Sequence, residues 1–352
     1  MKTEFAIDRD TLVQTIRRAY GLDVARLTFV PKGEVSTSYV VDCAGGDRYF
    51  LKCLDASRLG KMGASRLDFY LPVTWNLYSK ELFRNLPVPV KTRTGGFYTH
   101  LDGLPLVLFC YIAGRTLDDE HSLPDATLAA LARSVATIHK STPEIGVENP
   151  IIERFDIPFE DDLLNGLDAL KRVTRRDRWG KRALRDLLLP RKDEILGYLD
   201  RLRELQGMAR TMRKDRVLCH TDLWGGNLIQ GDDGSLYILD WEGAVLAPPE
   251  HDLYPFLGER FDVFLGSYTR EFGPVSLDGD LFRFYLYRRN LEDLTDWVFR
   301  ILHENADDEQ DRNDLRGIVE DCMSGWPYLE GGMSEVLDAL ARPAGSSSPT
   351  LR

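Results

Sequence analysis

HTDLWGGNLI, residues 220–229, sets a histidine, an aspartate two positions later and an asparagine five beyond that aspartate around a glycine pair, then runs into apolar residues. No regular helix or strand favours Gly225-Gly226, so the stretch reads as a turn that gathers polar side chains. Downstream, SLYILDWEG (235–243) is a short apolar strand that ends in Asp240. Two carboxylates and an amide therefore bracket one loop and one strand end. An all-oxygen set of this kind suits Mg²⁺, a hard ion that keeps several waters and divides its coordination between a few protein oxygens and substrate phosphates. Phosphoryl transfer uses that arrangement together with a carboxylate free to accept a hydroxyl proton.

Working outward, Lys52 lies in the strand-like run YFLKCL, where its apolar neighbours Phe50, Leu51 and Leu54 favour an inward-facing ammonium able to neutralise nucleotide phosphates. PKGEVSTS (31–38), between two β-rich runs, offers Gly33 and the hydroxyl residues Ser36, Thr37 and Ser38, whose backbone N–H groups could cover phosphates. Each feature alone has an ordinary explanation: an isolated H-x-D often caps a turn, and most strand lysines are exposed. Their combination in one chain carries the reading.

H-x-D-x-x-x-x-N, followed by an apolar strand ending in Asp and preceded by a strand lysine, resembles the protein-kinase-like fold. The D-F-G, A-P-E and G-x-G-x-x-G signatures of protein kinases themselves are missing. HTDLWGGN with ILDWE, LARSVATIHK and NLPVPVKTRTGG is instead similar, over most of the chain, to the aminoglycoside phosphotransferase and small-molecule kinase family. SRLDFYLPVTWNLY, the DWE triplet and YLYRRNLEDLTDW are similar to its spectinomycin phosphotransferase-like members. The resemblance implies that Asp222 is the catalytic carboxylate acting on the acceptor hydroxyl, that His220 braces the loop, and that Asn227 and Asp240 ligate Mg²⁺. Glu242 could support the metal through water. It further implies that Lys52 holds the phosphates of ATP or GTP, and that Phe109 to Tyr111 form a hinge whose backbone bonds adenine. Relatives usually pair the strand lysine with a glutamate early in the next helix. Here SRLDFYLPVTW offers only Asp68, and Glu81 lies near the helix end.

The expected fold class is α+β: a two-lobed kinase-like chain, with a small N-terminal nucleotide-binding lobe over 1–107 and a larger, mainly helical catalytic and acceptor-binding lobe over 108–352. A capped helix at 8–20, β-rich runs to about 110 and a helix inserted among them support the first lobe. Amphipathic patterns at 125–140, 160–173, 181–209, 280–303 and 308–324 support the second. ARPAGSSSPTLR, residues 341–352, is small and polar, and the chain from about 342 is expected to be a disordered tail.

In 352 residues, 45 basic against 56 acidic side chains give a net charge of −11, which argues against nucleic acid or an anionic membrane as partner and suits a cationic ligand. Five scattered cysteines without C-x-x-C spacing argue against zinc or a disulfide framework and fit a reducing cytoplasm. MKTEFAIDRD lacks the apolar core of a signal peptide, and no run approaches a membrane span, so a soluble cytoplasmic protein is expected. Nothing in the sequence sets the oligomeric state.

For the acceptor, an aminocyclitol or aminoglycoside antibiotic leads. Choline-, homoserine- or methylthioribose-like metabolites are the alternative, and a non-catalytic nucleotide-binding pseudokinase is a further one. A metal-dependent hydrolase would need more ligands than this loop offers. NLEDLTDW sets Glu292 and Asp296 on one helical face beside Asp293, and carboxylates there could meet ligand ammonium groups, although most such acids are solvated surface. Trp224 either lines the acceptor site or merely packs. His139 and His251 read as structural, and Asp252 as a residue that caps or ties down a helix.

Overall fold

Asp8 starts the chain's first helix as the sequence predicts: its carboxylate accepts from the backbone N–H groups of Asp10 and Thr11, α1 runs Arg9–Tyr20, and Gly21 ends it in the left-handed conformation at φ 75°. The architecture is that of a computed structural model, which describes residues 4, 7–31, 36–117, 123–258 and 260–329. Gly33 and the tail from about 342 lie outside the described residues. No described helix is long and apolar enough to cross a membrane.

The β-rich segments that follow form an antiparallel sheet. Its strands are β1 (Val24–Val30), β2 (Ser36–Cys43), β3 (Arg48–Leu54), β4 (Tyr98–Leu101) and β5 (Leu104–Cys110), in the spatial order β1-β2-β3-β5-β4. Inward residues Tyr39, Val41, Leu51, Cys53, Leu106 and Leu108 meet Leu12, Ile16 and Tyr20 of α1 in one apolar cluster. Between β3 and β4 the chain forms α2 (Arg58–Ala64) and α3 (Leu67–Ser79), which carries Pro72 in its interior. Further on come β6 (Gly114–Thr116), α4 (Asp125–Lys140), and the short strands β7 (Val217–Cys219), β8 (Leu228–Gly231), β9 (Leu236–Ile238) and β10 (Val245–Ala247). These strands pair as β6-β8-β9 and β10-β7.

The described residues divide into two compact units. The first takes in Met1–Ile152, Arg216–Ala247 and Val263–Pro274, and the second Glu153–Asp215, Pro248–Asp262 and Val275–Arg352. The expected lobes, 1–107 and 108–352, divide the chain by role instead, and residue 107 falls within β5.

The second unit is helical, with three departures from the pattern. The helix expected over 181–209 is two, Trp179–Leu188 and Lys192–Thr211, joined by a tight turn at Leu189–Arg191 where Pro190 has no N–H to donate. The helix expected over 280–303 runs Gly279–Phe299 and widens into a π turn at Arg300–Glu304. The helix expected over 308–324 is regular only for Asp308–Gly317 before a π turn and a tight turn. Asp311, fully buried beneath this region, takes the guanidinium of Arg178 at 2.9 Å and the Asn305 amide at 3.0 Å. Asp252 lies inside the short helix Glu250–Leu253, buried.

Candidate active site

The turn quoted at the outset is built by backbone demands as much as by side chains. Thr221 sits at φ 78°, a conformation that costs a β-branched residue on the order of 1–3 kcal/mol and is held only where its surroundings fix it. What fixes it is close approach to the strand end opposite: its Oγ1 donates to the Gly243 carbonyl at 3.1 Å. A Cβ on Gly243 would fall 2.4 Å from that same oxygen, so glycine is required there. Asp240 also takes the left-handed conformation, at φ 57° and ψ 65°, which aspartate tolerates better than most residues.

His220 is buried and braces this turn. Its Nδ1 accepts from the Asp222 backbone N–H at 3.3 Å, so its Nε2 carries the proton and donates to the Leu239 carbonyl at 2.5 Å. The ring stands edge-on to buried Trp241, centroids 5.0 Å apart. The imidazole thus ties the 220–222 turn to the residue before Asp240. Asn227, also buried, donates from Nδ2 to the Asp222 carbonyl at 2.9 Å and to its carboxylate at 2.7 Å. Its backbone carbonyl accepts from Leu239 at 2.8 Å. One amide therefore orients the Asp222 carboxylate and keeps its own carbonyl oxygen for another partner.

Lys52 answers the question left by Asp68. Its ammonium, largely buried, donates to Asp240 Oδ1 at 2.5 Å and to Glu242 Oε1 at 2.6 Å. Asp68 instead accepts from the Tyr98 hydroxyl at 3.1 Å, and Glu81 lies past the end of α3 at φ 61°, paired with Arg84. The lysine's partners are thus the two acids of the DWE triplet. Burial pulls the Lys52 pKa down, but the two carboxylates outweigh it and the ammonium is held above its ordinary range. Burial likewise pushes the Asp240 carboxyl up, and the Lys52 charge reverses this to leave it below the usual carboxylate range.

The donor set passes a chemical test for a divalent cation: two carboxylates already converge on a single cationic atom, and the oriented Asp222 and the Asn227 carbonyl oxygen belong to the same turn. One contributor escaped sequence reasoning. Arg66, just before α3, donates to the carbonyls of Glu242, Gly243 and Ala244 at 2.6, 3.1 and 2.7 Å, and so clamps the turn that carries both acids. An arginine in a polar stretch carries no pattern that would single it out.

Other expected residues lie as follows. Ser36, Thr37 and Ser38 are buried in β2 rather than in a loop, with Ser38 opposite Lys52 in the β2–β3 register and Ser36 Oγ 3.1 Å from Ser38 Oγ. Phe109 is buried and paired with Phe50, and the Cys110 N–H is donated to Val88, so Tyr111 is the first residue past the β5 ladder. The Tyr111 ring lies under the Arg48 guanidinium, 5.0 Å from centroid to carbon. Trp224 is half exposed, its indole folded over Gly226, where any Cβ would meet the ring at 2.2 Å. His139 bonds the Tyr268 hydroxyl at 2.9 Å, and His251 stacks on Tyr285 beside the Glu153–Arg288 ion pair, as structural histidines do. In the second unit Glu292, Asp293 and Asp296 are half-buried along Gly279–Phe299, and Asp293 accepts from Arg289 at 2.9 Å.

The model of the phosphotransferase enzyme family matches residues 28–309, and the chain belongs to that family. Protein StrN of Streptomyces griseus is 26% identical over 234 residues, spanning 63% of this chain and 67% of that protein. Among solved structures, spectinomycin phosphotransferase APH(9)-Ia in complex with ADP and spectinomycin superposes with a TM-score of 0.69 at 18% identity, covering 96% of this chain and 99% of that one. Choline kinase LicA from Streptococcus pneumoniae superposes with a TM-score of 0.54 at 17% identity, covering 90% and 99%. At these identities the likeness is one of fold, and the fold is kinase-like α+β.

Proposed function

We propose that this phosphotransferase moves the γ-phosphoryl group of ATP or GTP to a hydroxyl of a small molecule, with an aminoglycoside or aminocyclitol antibiotic as the leading acceptor class. The observation that carries the reading is the pairing of two arrangements in one unit: the Asp222 carboxylate oriented by Asn227, and the Asp240–Glu242 acid pair gathered on Lys52. Asp222 would accept the acceptor's proton as its oxygen attacks phosphorus, and His220 would hold that loop in register with Asp240. Lys52 would bind the nucleotide phosphates. Asn227 and Asp240 would hold Mg²⁺, with Glu242 behind them. When bound, the ion supplies positive charge that neutralises phosphate oxygens.

The role-based division follows from these assignments: 1–107 would carry the nucleotide, and 108–352 the catalytic turn and the acceptor. Adenine would bond backbone groups at the end of β5, where Tyr111 lies past the ladder while Phe109 and Cys110 have strand partners. A cationic acceptor would need carboxylates to offset the desolvation of its ammonium groups, and Glu292, Asp293 and Asp296 are the candidates, with Trp224 a further contact. The fold likeness to a spectinomycin phosphotransferase supports the aminocyclitol class, and that to a choline kinase keeps a small amino alcohol as the second reading.

A coupled assay of nucleoside diphosphate release, run with ATP and GTP across aminocyclitols, aminoglycosides and small amino alcohols, tests this reading. Acceptor-dependent release with one class names the substrate. Release with none of them would contradict the proposal.

A further inference from the structure

Helix α3 buries a second polar group near the turn that Arg66 clamps. Tyr70 lies one turn after Arg66 on the same face, its backbone N–H bonded to the Arg66 carbonyl at 3.0 Å. α3 packs against the turn Trp241–Gly243 that Arg66 holds. Tyr70 is 1% exposed, and its hydroxyl has no hydrogen-bond partner among the described residues. A buried hydroxyl without a partner is unfavourable, and phenylalanine would fill the same volume without that cost. The acids whose charge reaches this phenol are Glu242 and Asp240: burial, then these two carboxylates, hold it far above its ordinary pKa, so it is a donor at any working pH. Both acids accept from the Lys52 ammonium.

We infer that Tyr70 is a positioning residue for the nucleotide-loaded state: when phosphates draw the Lys52 ammonium away from Glu242, the Tyr70 hydroxyl donates to the Glu242 carboxylate in its place. This rests on the proposed binding of a Mg-nucleotide. In the ligand-free protein the lysine neutralises both acids and the phenol has nothing to do. Once Lys52 turns to phosphate, Glu242, whose side chain is 14% exposed, would be a largely buried carboxylate without that donor, an unfavourable condition. A buried O–H on the helix packed against the acids' turn, already desolvated, meets that need.

The test compares wild type with Tyr70→Phe in three measurements: thermal unfolding without ligand, and calorimetric titration of ADP with and without Mg²⁺. The expected result is an unfolding temperature equal to or above wild type, because the variant loses only an unpartnered hydroxyl. ADP affinity should fall about tenfold with and without Mg²⁺, the scale of one hydrogen bond to a charged group, because the phosphates draw the Lys52 ammonium in both conditions. Combining the variant with Glu242→Gln should bring no further loss of Mg-ADP affinity, because the pair acts as one. Equal Mg-ADP affinity in wild type and Tyr70→Phe would overturn the inference. So would a lowered unfolding temperature, or failure to fold, because either makes the hydroxyl a structural group of the ligand-free protein. Should wild type itself not bind Mg-ADP, the functional reading falls, and this inference with it.

Discussion

The Lys52 ammonium stands 2.5 Å from Asp240 Oδ1, joining the third strand of the N-terminal sheet to a residue two positions past the end of β9. With Glu242 at 2.6 Å on the same nitrogen, the lysine holds together two acids that would otherwise repel. Replacing it by methionine removes the ammonium between them. Lys52→Met should lower the ligand-free unfolding temperature, and added Mg²⁺ should restore part of the loss by binding the uncompensated acids. Thermal unfolding with and without Mg²⁺ checks this, and a variant indifferent to the ion would show that the acids do not form a cation site.

Asp240 is expected to act on the metal. Asp240→Ala should weaken Mg-nucleotide binding far more than metal-free nucleotide binding, because the loss is that of an anionic ligand. Titration in both conditions separates the cases, and equal weakening would make the carboxylate structural.

The approach of Gly243 to Thr221 makes a prediction about folding. Gly243→Ala puts a methyl group where Thr221 Oγ1 lies 2.4 Å away, and should destabilise the protein by about 1–3 kcal/mol. Thr221→Gly removes both the hydroxyl and the φ 78° strain, so the double variant should regain much of that loss. Additive losses in chemical denaturation would show that the two residues do not press on each other.

Asp293 gives the acceptor assignment a pH signature. Burial pushes its carboxyl up to about 6, with Glu292 and Asp296 adding to the rise and Arg289 opposing it. A carboxyl whose folded pKa is raised favours the fold most when protonated, below its unfolded value of 3.8, and that contribution is lost as pH rises through about 6. Asp293→Asn should therefore flatten stability over that window. If the carboxylate meets a ligand ammonium, the acceptor KM should fall as pH rises through 6 in wild type and change less in the variant. Neutralising Glu292, Asp293 and Asp296 together should raise acceptor KM and leave nucleotide KM nearly unchanged. A triple variant with wild-type acceptor KM would place these acids on the ordinary surface.

Much of this was legible in the sequence because its signals are local. The Asp8 cap and Gly21 stop bound α1, β-rich runs punctuated by Gly and Pro mark the sheet, and the spacing of His220, Asp222 and Asn227 announces a turn whose members do bond one another. What sequence could not supply was contact across long separations. The sequence leaves the partner of Lys52 open, with Asp68 the only early acid in the next helix, and its partners lie on the DWE turn. Arg66 was invisible for the same reason: its value lies in three carbonyls brought to it by the fold. Helix breaks were missed where the apolar period continued across them, as at Leu189–Arg191. Ser36 to Ser38 read as loop because small hydroxyl residues favour turns, yet flanking strands carry them into β2.

The claim on which the rest depends is that Asp222 serves transfer of a phosphoryl group to a small-molecule hydroxyl. The most direct measurement incubates wild type and Asp222→Asn with Mg-ATP or Mg-GTP and the acceptor found by screening, follows the acceptor by mass spectrometry, and titrates nucleotide binding in parallel. The account predicts an acceptor heavier by one phosphoryl group with wild type, and turnover lower by roughly 10²–10⁴ in the variant at near-equal nucleotide affinity. Turnover retained in Asp222→Asn, or no phosphorylated acceptor with wild type, would contradict it.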